Sequence, residues 1–400
     1  MDLALSEEQE LAVATLRRFV RKEIWLWEKR IDSDAVSLPH EACDALLPKS
    51  QASGLDNLIA APGFCGPDLD EAAPDLLTRV RVAEEMSQHR AGVVAPSYEL
   101  FGVDAPPQLF AATEAQQERF LWPLLRREAR AFAGLSDPTG AGQPLDGTRI
   151  RARRVGGSAG AGEWMLDGTK LFVVGAETAD FGLVFANTED EDGTARGVSL
   201  FVVEATREGF QRWRPYRTLS PGRDVMELNL SNLRLPAENL IGGVGGGAVV
   251  GESFLTRRRV FQAAQLTGVA SAAQDMARGQ AHARREFDAP IAAQQGVQWA
   301  LADNEVELRA SRWLYLAAAQ SLDAGSDGAD AEVAGARLMA GSTATAVVDR
   351  TIQLHGSAGV SADLPLERWY RDLRLSHIDE GGEAAQRSTI ANHLLTTFKK

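Results

Sequence analysis

The sequence predicts an α+β fold with a helical N-terminal domain (residues 1–130), a middle antiparallel β domain (131–241) and a C-terminal four-helix bundle (248–400). Three observations carry this. Apolar residues recur at helical spacing as far as about residue 130, short alternating or apolar runs replace them up to about 241, and helical spacing then returns to the end of the chain. No strand–helix–strand alternation and no short repeat interrupts that order, which argues against a doubly wound parallel sheet. A chain of 400 residues also exceeds what one compact core usually holds.

In the first domain Leu11, Leu16, Phe19, Val20 and Ile24 fall on one helical stripe. Ser6 followed by Gln9 forms a capping box, in which each side chain satisfies an orphaned backbone N–H of the other. Pro62, Gly63, Gly66 and Pro67 break the pattern into a loop. In the β domain Trp164 to Val174 carries Asp167-Gly168 in its middle, a two-residue hairpin signal. Phe181 to Ala186, Val198 to Val203 and Val225 to Leu230 read as further strands. Gly242 to Gly251 reads as a linker. The helical spacing that follows is interrupted around Phe287 to Ile291, Asp323 to Asp330 and His355 to Pro365, giving four or five long helices able to pack as a bundle.

Composition narrows the function. The chain is 44% hydrophobic and 24% charged, as in ordinary globular proteins, and its net charge of −13 repels nucleic acid and anionic membranes. No apolar run is long enough to span a bilayer, and the start has no basic segment followed by an apolar one, so the expected location is cytoplasmic. Cys43 and Cys65 form no Cys-x-x-Cys pair, and a disulfide framework is not expected.

Three motifs point elsewhere on first sight. Gly156-Gly157-Ser158-Ala159-Gly160 matches the nucleophile elbow of serine hydrolases, but that elbow needs a buried strand before it and a helix after it. Here Arg151 to Arg154 precede it and a strand follows, so it reads as a hairpin tip. Gly242 to Gly247 lacks the surrounding βαβ unit of a dinucleotide loop. The six histidines show no spacing that would set two metal ligands on one helical face.

The residues that decide the reading lie near the end. Gln353 to Val360 reads QLHGSAGV, Arg371-Asp372 follows, and His377 to Arg387 reads HIDEGGEAAQR. Upstream come SGLDNLIAAPGFCGP from Ser53, VAEEM from Val82, LSDPTGAGQ from Leu135, WMLDGTKLFVVGAETAD from Trp164, LRLPAENLIG from Leu233 and RREFDAPIAAQQ from Arg284. In that order and spacing they resemble the signatures of the acyl-CoA dehydrogenase family over nearly the whole chain. Asp379-Glu380-Gly381-Gly382-Glu383, taken alone, reads only as an acidic helix start.

The resemblance implies flavin-dependent α,β-dehydrogenation of an acyl-CoA or acyl-carrier-protein thioester, with FAD as cofactor. Glu380 falls at the position of the base that removes the α-proton, and a carboxylate in a dry pocket suits that task. The alternative base position of some relatives is Arg258 here, a cation. Gly142, Arg259 and Gly381 match substrate positions. Leu135, Ser136, Gly142 and Phe172 to Val174 match flavin contacts, with Val173 between the two flanking residues. Arg284, Phe287, Gln295, Gln353, Gly356 and Ser357 match flavin contacts from a neighbouring subunit, with Arg284 opposite the pyrophosphate. Tyr98 and Phe101 fit either the acyl pocket or the ordinary core. The resemblance further implies a homo-oligomer, dimer or tetramer, and an electron-transfer flavoprotein as electron acceptor.

This sequence departs from the family pattern at the cofactor positions. Phe172 stands for a tryptophan, Val174 for a threonine, Asp288 for a glycine, Gly382 and Ala384 for a threonine and a glutamine, Gln143 for an acid, and Glu286 for a small polar residue. The departures leave two other readings open: a flavin-poor partner in a hetero-oligomer, and a flavin oxidase or N-hydroxylase on the same fold.

Overall fold

The computed structural model describes residues 6–56, 58, 75–101, 105–110, 112–138, 148–156, 162–379 and 382–398. In chain order, α1 (Glu7–Phe19) passes through a π-helical turn (Val20–Ile24) into α2 (Trp25–Glu28), followed by α3 (His40–Ala52) and α4 (Leu76–Met86). Three short helices come next, α5 (Pro107–Phe110), α6 (Glu114–Gln116) and α7 (Trp122–Leu125). The strands are β1 (Ala131–Gly134), β2 (Arg151–Val155), β3 (Glu163–Val174), β4 (Phe181–Glu189), β5 (Ala195–Glu204), β6 (Phe210–Pro215), β7 (Val225–Pro236) and β8 (Leu240–Ile241). The long helix α8 (Gly247–Ala283) leads to a small hairpin, β9 (Arg285–Glu286) and β10 (Ala289–Pro290). The chain ends with α9 (Gln295–Asp323), α10 (Ala329–His355), α11 (Leu366–Ser376) and α12 (Gly382–Thr397).

The chain forms two compact units, Met1–Gly102 with Thr256–Lys400, and Val103–Leu255. The first unit is helical. Its apolar core joins Leu16, Val20 and Ile24 from the N-terminal helices to Val260, Ala264, Tyr315, Val347 and Trp369 from the C-terminal ones. The N-terminal stripe therefore closes over the bundle rather than over a core of its own. The Ser6–Gln9 capping box is present, with Gln9 N–H donating to Ser6 Oγ at 3.2 Å and Ser6 N–H to Gln9 Oε1 at 2.8 Å. Among the C-terminal helices α10 packs against α9, α11 and α12. No described helix is long and apolar enough to cross a membrane.

The second unit holds α5, α6 and α7 and a sheet in the order β6-β7-β3-β2-β4-β5-β8, with β1 also on β4. Its ladders are antiparallel except for the short β1–β4 and β2–β4 pairings. Trp164, Leu166, Val184, Phe201, Leu228 and Leu233 fill its core.

One turn expected from the sequence is absent. Asp167-Gly168 lies inside the continuous strand β3, at a register shift against β7. The strand neighbours overrule the local turn signal. Asp167 Oδ1 accepts the N–H of Asn232 at 2.7 Å, and a Cβ on Gly168 (φ 139°) would lie 2.9 Å from Ile150 Cδ1. Glycine is needed here for a bulge with close side-chain approach. The Gly156 to Gly160 motif falls beyond the paired ends of β2 and β3, where Val155 opposes Glu163, and its residues 157–160 lie outside the described set.

Candidate functional site

The β unit presents the first group of expected site residues along the end of β3. Lys170 is fully buried, and its Nζ lies 2.8 Å from Asp137 Oδ1, 3.1 Å from Thr148 Oγ1 and 3.2 Å from the Leu135 carbonyl. The backbone N–H of Leu171 donates to the Ser136 carbonyl at 2.9 Å. Leu135 and Ser136 are thus pinned beside β3. Burial pushes the Lys170 amine below its ordinary value, and the Asp137 carboxylate opposes that shift.

Just beyond Lys170 the ladder to β7 slips again, and Phe172 takes φ 52°, a conformation a bulky residue rarely adopts. The slip turns Phe172 outward, 56% exposed, and leaves Val174 exposed at 41%, while Val173 is buried at 2%. The expectation for Val173 is corrected accordingly: its side chain belongs to the β core, and only its backbone remains for a ligand. Sequence reading missed Tyr216, whose ring stacks on Phe172 at 4.3 Å between centroids.

The second group lies at one end of the helical bundle. Ala281 of α8, Ile291, and Val297 of α9 form a small apolar cluster against which Leu354 of α10 packs. Arg284, Gln295 and Gln353 stand close to members of that cluster in sequence. Gln295, Gln353, Gly356 and Ser357 are all exposed. Arg284 follows the last turn of α8, its N–H donating to the Gln280 carbonyl at 2.8 Å, and its guanidinium lies 3.5 Å from Glu286. Glu286 therefore offsets part of the charge that Arg284 offers. Phe287 and Asp288 form the two-residue turn between β9 and β10 with φ 49° and 61°. Such a turn needs positive φ at both positions and ordinarily takes Asn or Gly. Here Phe287 is held out 95% exposed.

The third group flanks the expected base in sequence. Glu380, Gly381 and Gly142 lie outside the described residues. Their neighbours do not. Arg259, only 8% exposed on α8, lines a small cavity with Arg337, Ser376, His377, Asp379 and Gly382. The Glu383 N–H donates to the His377 carbonyl at 3.3 Å, and His377 Nδ1 faces Glu383 Oε1. His377 Nε2 lies 2.8 Å from Thr345 Oγ1, and Arg387 donates to Glu383 Oε2 at 2.6 Å. The His377 contact and then Arg387 hold the Glu383 carboxyl below its ordinary value. These bonds tie His377 to Glu383, and both line the same small cavity as Arg259.

Tyr98 and Phe101 are core residues. Phe101 is fully buried, edge-on to Phe19. The Tyr98 hydroxyl donates to Glu28 Oε1 at 2.8 Å, within a buried network where His89 Nδ1 lies 3.1 Å from the same oxygen. Cys43 is a free thiol, half-buried in α3. No group of three or more potential metal ligands occurs among the described residues.

Three family models match along the chain: the acyl-CoA dehydrogenase N-terminal domain over residues 6–128, the middle domain over 133–233 and the C-terminal domain over 245–395. A 3-(aryl)acrylate reductase of Clostridium sporogenes is 31% identical over 98% of this chain and 99% of its own length. This chain belongs to the acyl-CoA dehydrogenase family. Other members that it resembles are an acryloyl-CoA reductase (NADH) of Anaerotignum propionicum, 31% identical over 99% of this chain and 96% of that one, and a short-chain acyl-CoA dehydrogenase of Clostridium acetobutylicum, 28% identical over 98% and 100%. Among solved structures, butyryl-CoA dehydrogenase from Megasphaera elsdenii superposes with a TM-score of 0.83 at 25% identity, covering 99% of this chain and 100% of that one. A glutaryl-CoA dehydrogenase in complex with glutaryl-CoA gives 0.82 at 26%, covering 99% and 97%.

The residues present fit FAD, the cofactor of this family. An outward aromatic ring held in an unfavourable backbone conformation suits a planar ring system, and such outliers cluster at ligand sites. The exposed guanidinium of Arg284 suits a diphosphate. Val174 has no hydroxyl, so its contribution is limited to backbone and apolar contact.

Proposed function

We propose that this protein oxidises an acyl-CoA thioester between Cα and Cβ, with Glu380 as the base. The observation that supports this best is the family sequence HIDEGGEAAQR beside the buried Arg259, in a chain that all three family domains cover. Bound FAD supplies the acceptor for the hydride that leaves Cβ. The protein's own residues do the rest. Glu380 takes the α-proton as the C–H bond breaks, and Gly381 donates its N–H to the thioester carbonyl, where negative charge develops. Glu380 also precedes by two residues the start of α12 at Gly382.

Phe172 and Val174 pack against the flavin ring, Leu135 and Ser136 border it, and a second copy of the chain brings Arg284, Phe287, Gln295, Gln353, Gly356 and Ser357 to the rest of the cofactor. The protein is accordingly a homo-oligomer. It works in the cytoplasm and passes its electrons to an electron-transfer flavoprotein. The 31% identical relatives named above are both called reductases, which favours a second reading in which the same site runs toward the saturated product and Glu380 returns the proton.

Anaerobic mixing with saturated acyl-CoA thioesters of increasing length tests the first reading. Loss of the flavin's visible colour together with formation of the α,β-unsaturated thioester supports it. Recovery of colour on adding unsaturated thioester to the reduced protein, with no bleaching by any saturated one, supports the reductive direction.

A further inference from the structure

Phe172 is turned outward by a bulge, and a left-handed phenylalanine needs something to hold it there. Tyr216 does so. It follows the last residue of β6, its N–H donates to the Val225 carbonyl at 2.8 Å, and its ring stacks on that of Phe172 at 4.3 Å and 24°. Tyr216 is itself fixed by two further side chains. Its hydroxyl donates to Glu227 Oε2 at 2.7 Å, Arg214 Nε donates to the same oxygen at 2.7 Å, and the Arg214 guanidinium carbon lies 5.0 Å from the centroid of the Tyr216 ring. The result is a column of Arg214, Tyr216 and Phe172, carried by β6, β7 and the end of β3. Phe172 remains 56% exposed although Tyr216 covers one face, so the opposite side of its ring is the part open to a ligand.

We propose that Tyr216 is a positioning residue for the cofactor: by stacking beneath Phe172 it sets the ring against which the flavin packs. This rests on the reading of Phe172 as a flavin contact. A bare bulge would let the Phe172 side chain sample several rotamers, and the flavin would have to order it on binding. The Arg214–Tyr216 stack pre-orders it, and pre-ordering appears as affinity. Glu227 supplies the specificity of the arrangement, since one carboxylate oxygen receives both the Tyr216 hydroxyl and the Arg214 guanidinium.

The test is a double-mutant cycle on full-length protein freed of cofactor and titrated with FAD, read by flavin fluorescence and by visible circular dichroism of the bound ring. Tyr216→Ala and Tyr216→Leu should weaken FAD binding by about 2- to 10-fold, the range of an aromatic pair, and alter the dichroism. Tyr216→Phe, which keeps the ring, should restore binding to within about 2-fold. In a Phe172→Ala background, Tyr216→Ala should have no further effect. The proposal is overturned if Tyr216→Ala binds FAD like wild type in the Phe172 background, or if its effect persists undiminished without Phe172. It is also overturned if both Tyr216→Ala and Tyr216→Leu fail to fold, because the residue then serves stability alone. If Phe172→Ala leaves FAD binding and spectrum unchanged, the assignment of Phe172 falls first and takes this inference with it.

Discussion

Replacing Asp137 with alanine removes the one carboxylate that, among the described residues, pairs with a lysine that has no exposed surface. The Lys170 ammonium would keep two neutral acceptors, Thr148 Oγ1 at 3.1 Å and the Leu135 carbonyl at 3.2 Å, in place of an ion pair at 2.8 Å. Leaving one member of a buried pair without the other costs about 3–5 kcal/mol. The N–H of Arg149 would also lose its acceptor, Asp137 Oδ2 at 2.8 Å, and that loss is contained within the same range rather than added to it. For a unit of this size the loss lowers the melting midpoint of the β unit by about 6–20 °C, measured by calorimetry on the full chain.

The pH dependence follows from the Lys170 amine, which burial depresses while Asp137 opposes the shift. A base with a depressed folded-state value binds more protons unfolded than folded through that interval, so its contribution to stability rises with pH. Without Asp137 the interval widens, and the deficit of Asp137→Ala should narrow as pH rises toward the ordinary lysine value of 10.5. Asp137→Asn with Lys170→Met should recover most of the loss, because no buried charge is then left unpaired. A melting point for Asp137→Ala within about 2 °C of wild type at neutral pH would refute this reasoning.

Other perturbations follow the same logic. Burial pushes the Glu28 carboxyl up, but hydrogen bonds from His89, the Arg90 N–H and Tyr98 outweigh it and hold the group below its ordinary value of 4.5. The ionised form therefore adds stability that is complete above about pH 4.5 and lost as pH falls through the depressed value, so Glu28→Gln should cost about 2 kcal/mol at neutral pH and flatten the acid limb of a stability-versus-pH curve. Gly168→Ala, with its new Cβ 2.9 Å from Ile150 Cδ1, should destabilise by about 1–3 kcal/mol in a urea titration. Arg284→Ala should weaken FAD binding by about 10- to 100-fold with little change in melting point, because the side chain is 59% exposed and its loss touches the ligand more than the fold. Unchanged calorimetric affinity would remove Arg284 from the cofactor site.

The partition into helical and strand regions was legible because periodicity is local, and the breaks around Phe287, Asp323 and His355 fall where α8, α9 and α10 end. Long-range pairing was not legible. Asp167-Gly168 reads as a turn until Asn232 and Ile150 are known to flank it, and then only a bulge fits. Val173 is indistinguishable in sequence from Val174, and a register slip against β7 decides which of them faces the core. Tyr216 leaves no sequence signal at all, since its stack on Phe172 exists only once β6 and β3 lie on either side of β7. The Glu28, His89 and Tyr98 network is of the same kind, assembled from segments whose residues look unremarkable apart. Arg259 was read from the family pattern alone, and its burial beside His377 and Asp379 carries no signal in the sequence.

The proposed reaction turns on removal of one proton, that on the thioester's Cα. Wild type and Glu380→Gln, each loaded with FAD and matched for melting point and flavin content, should be mixed anaerobically with the saturated acyl-CoA that bleaches wild type fastest. Loss of a general base predicts bleaching slower by about 100- to 10,000-fold in the variant, with the thioester still bound. Bleaching at the wild-type rate would mean that another group takes the α-proton, and the assignment of Glu380 would be wrong.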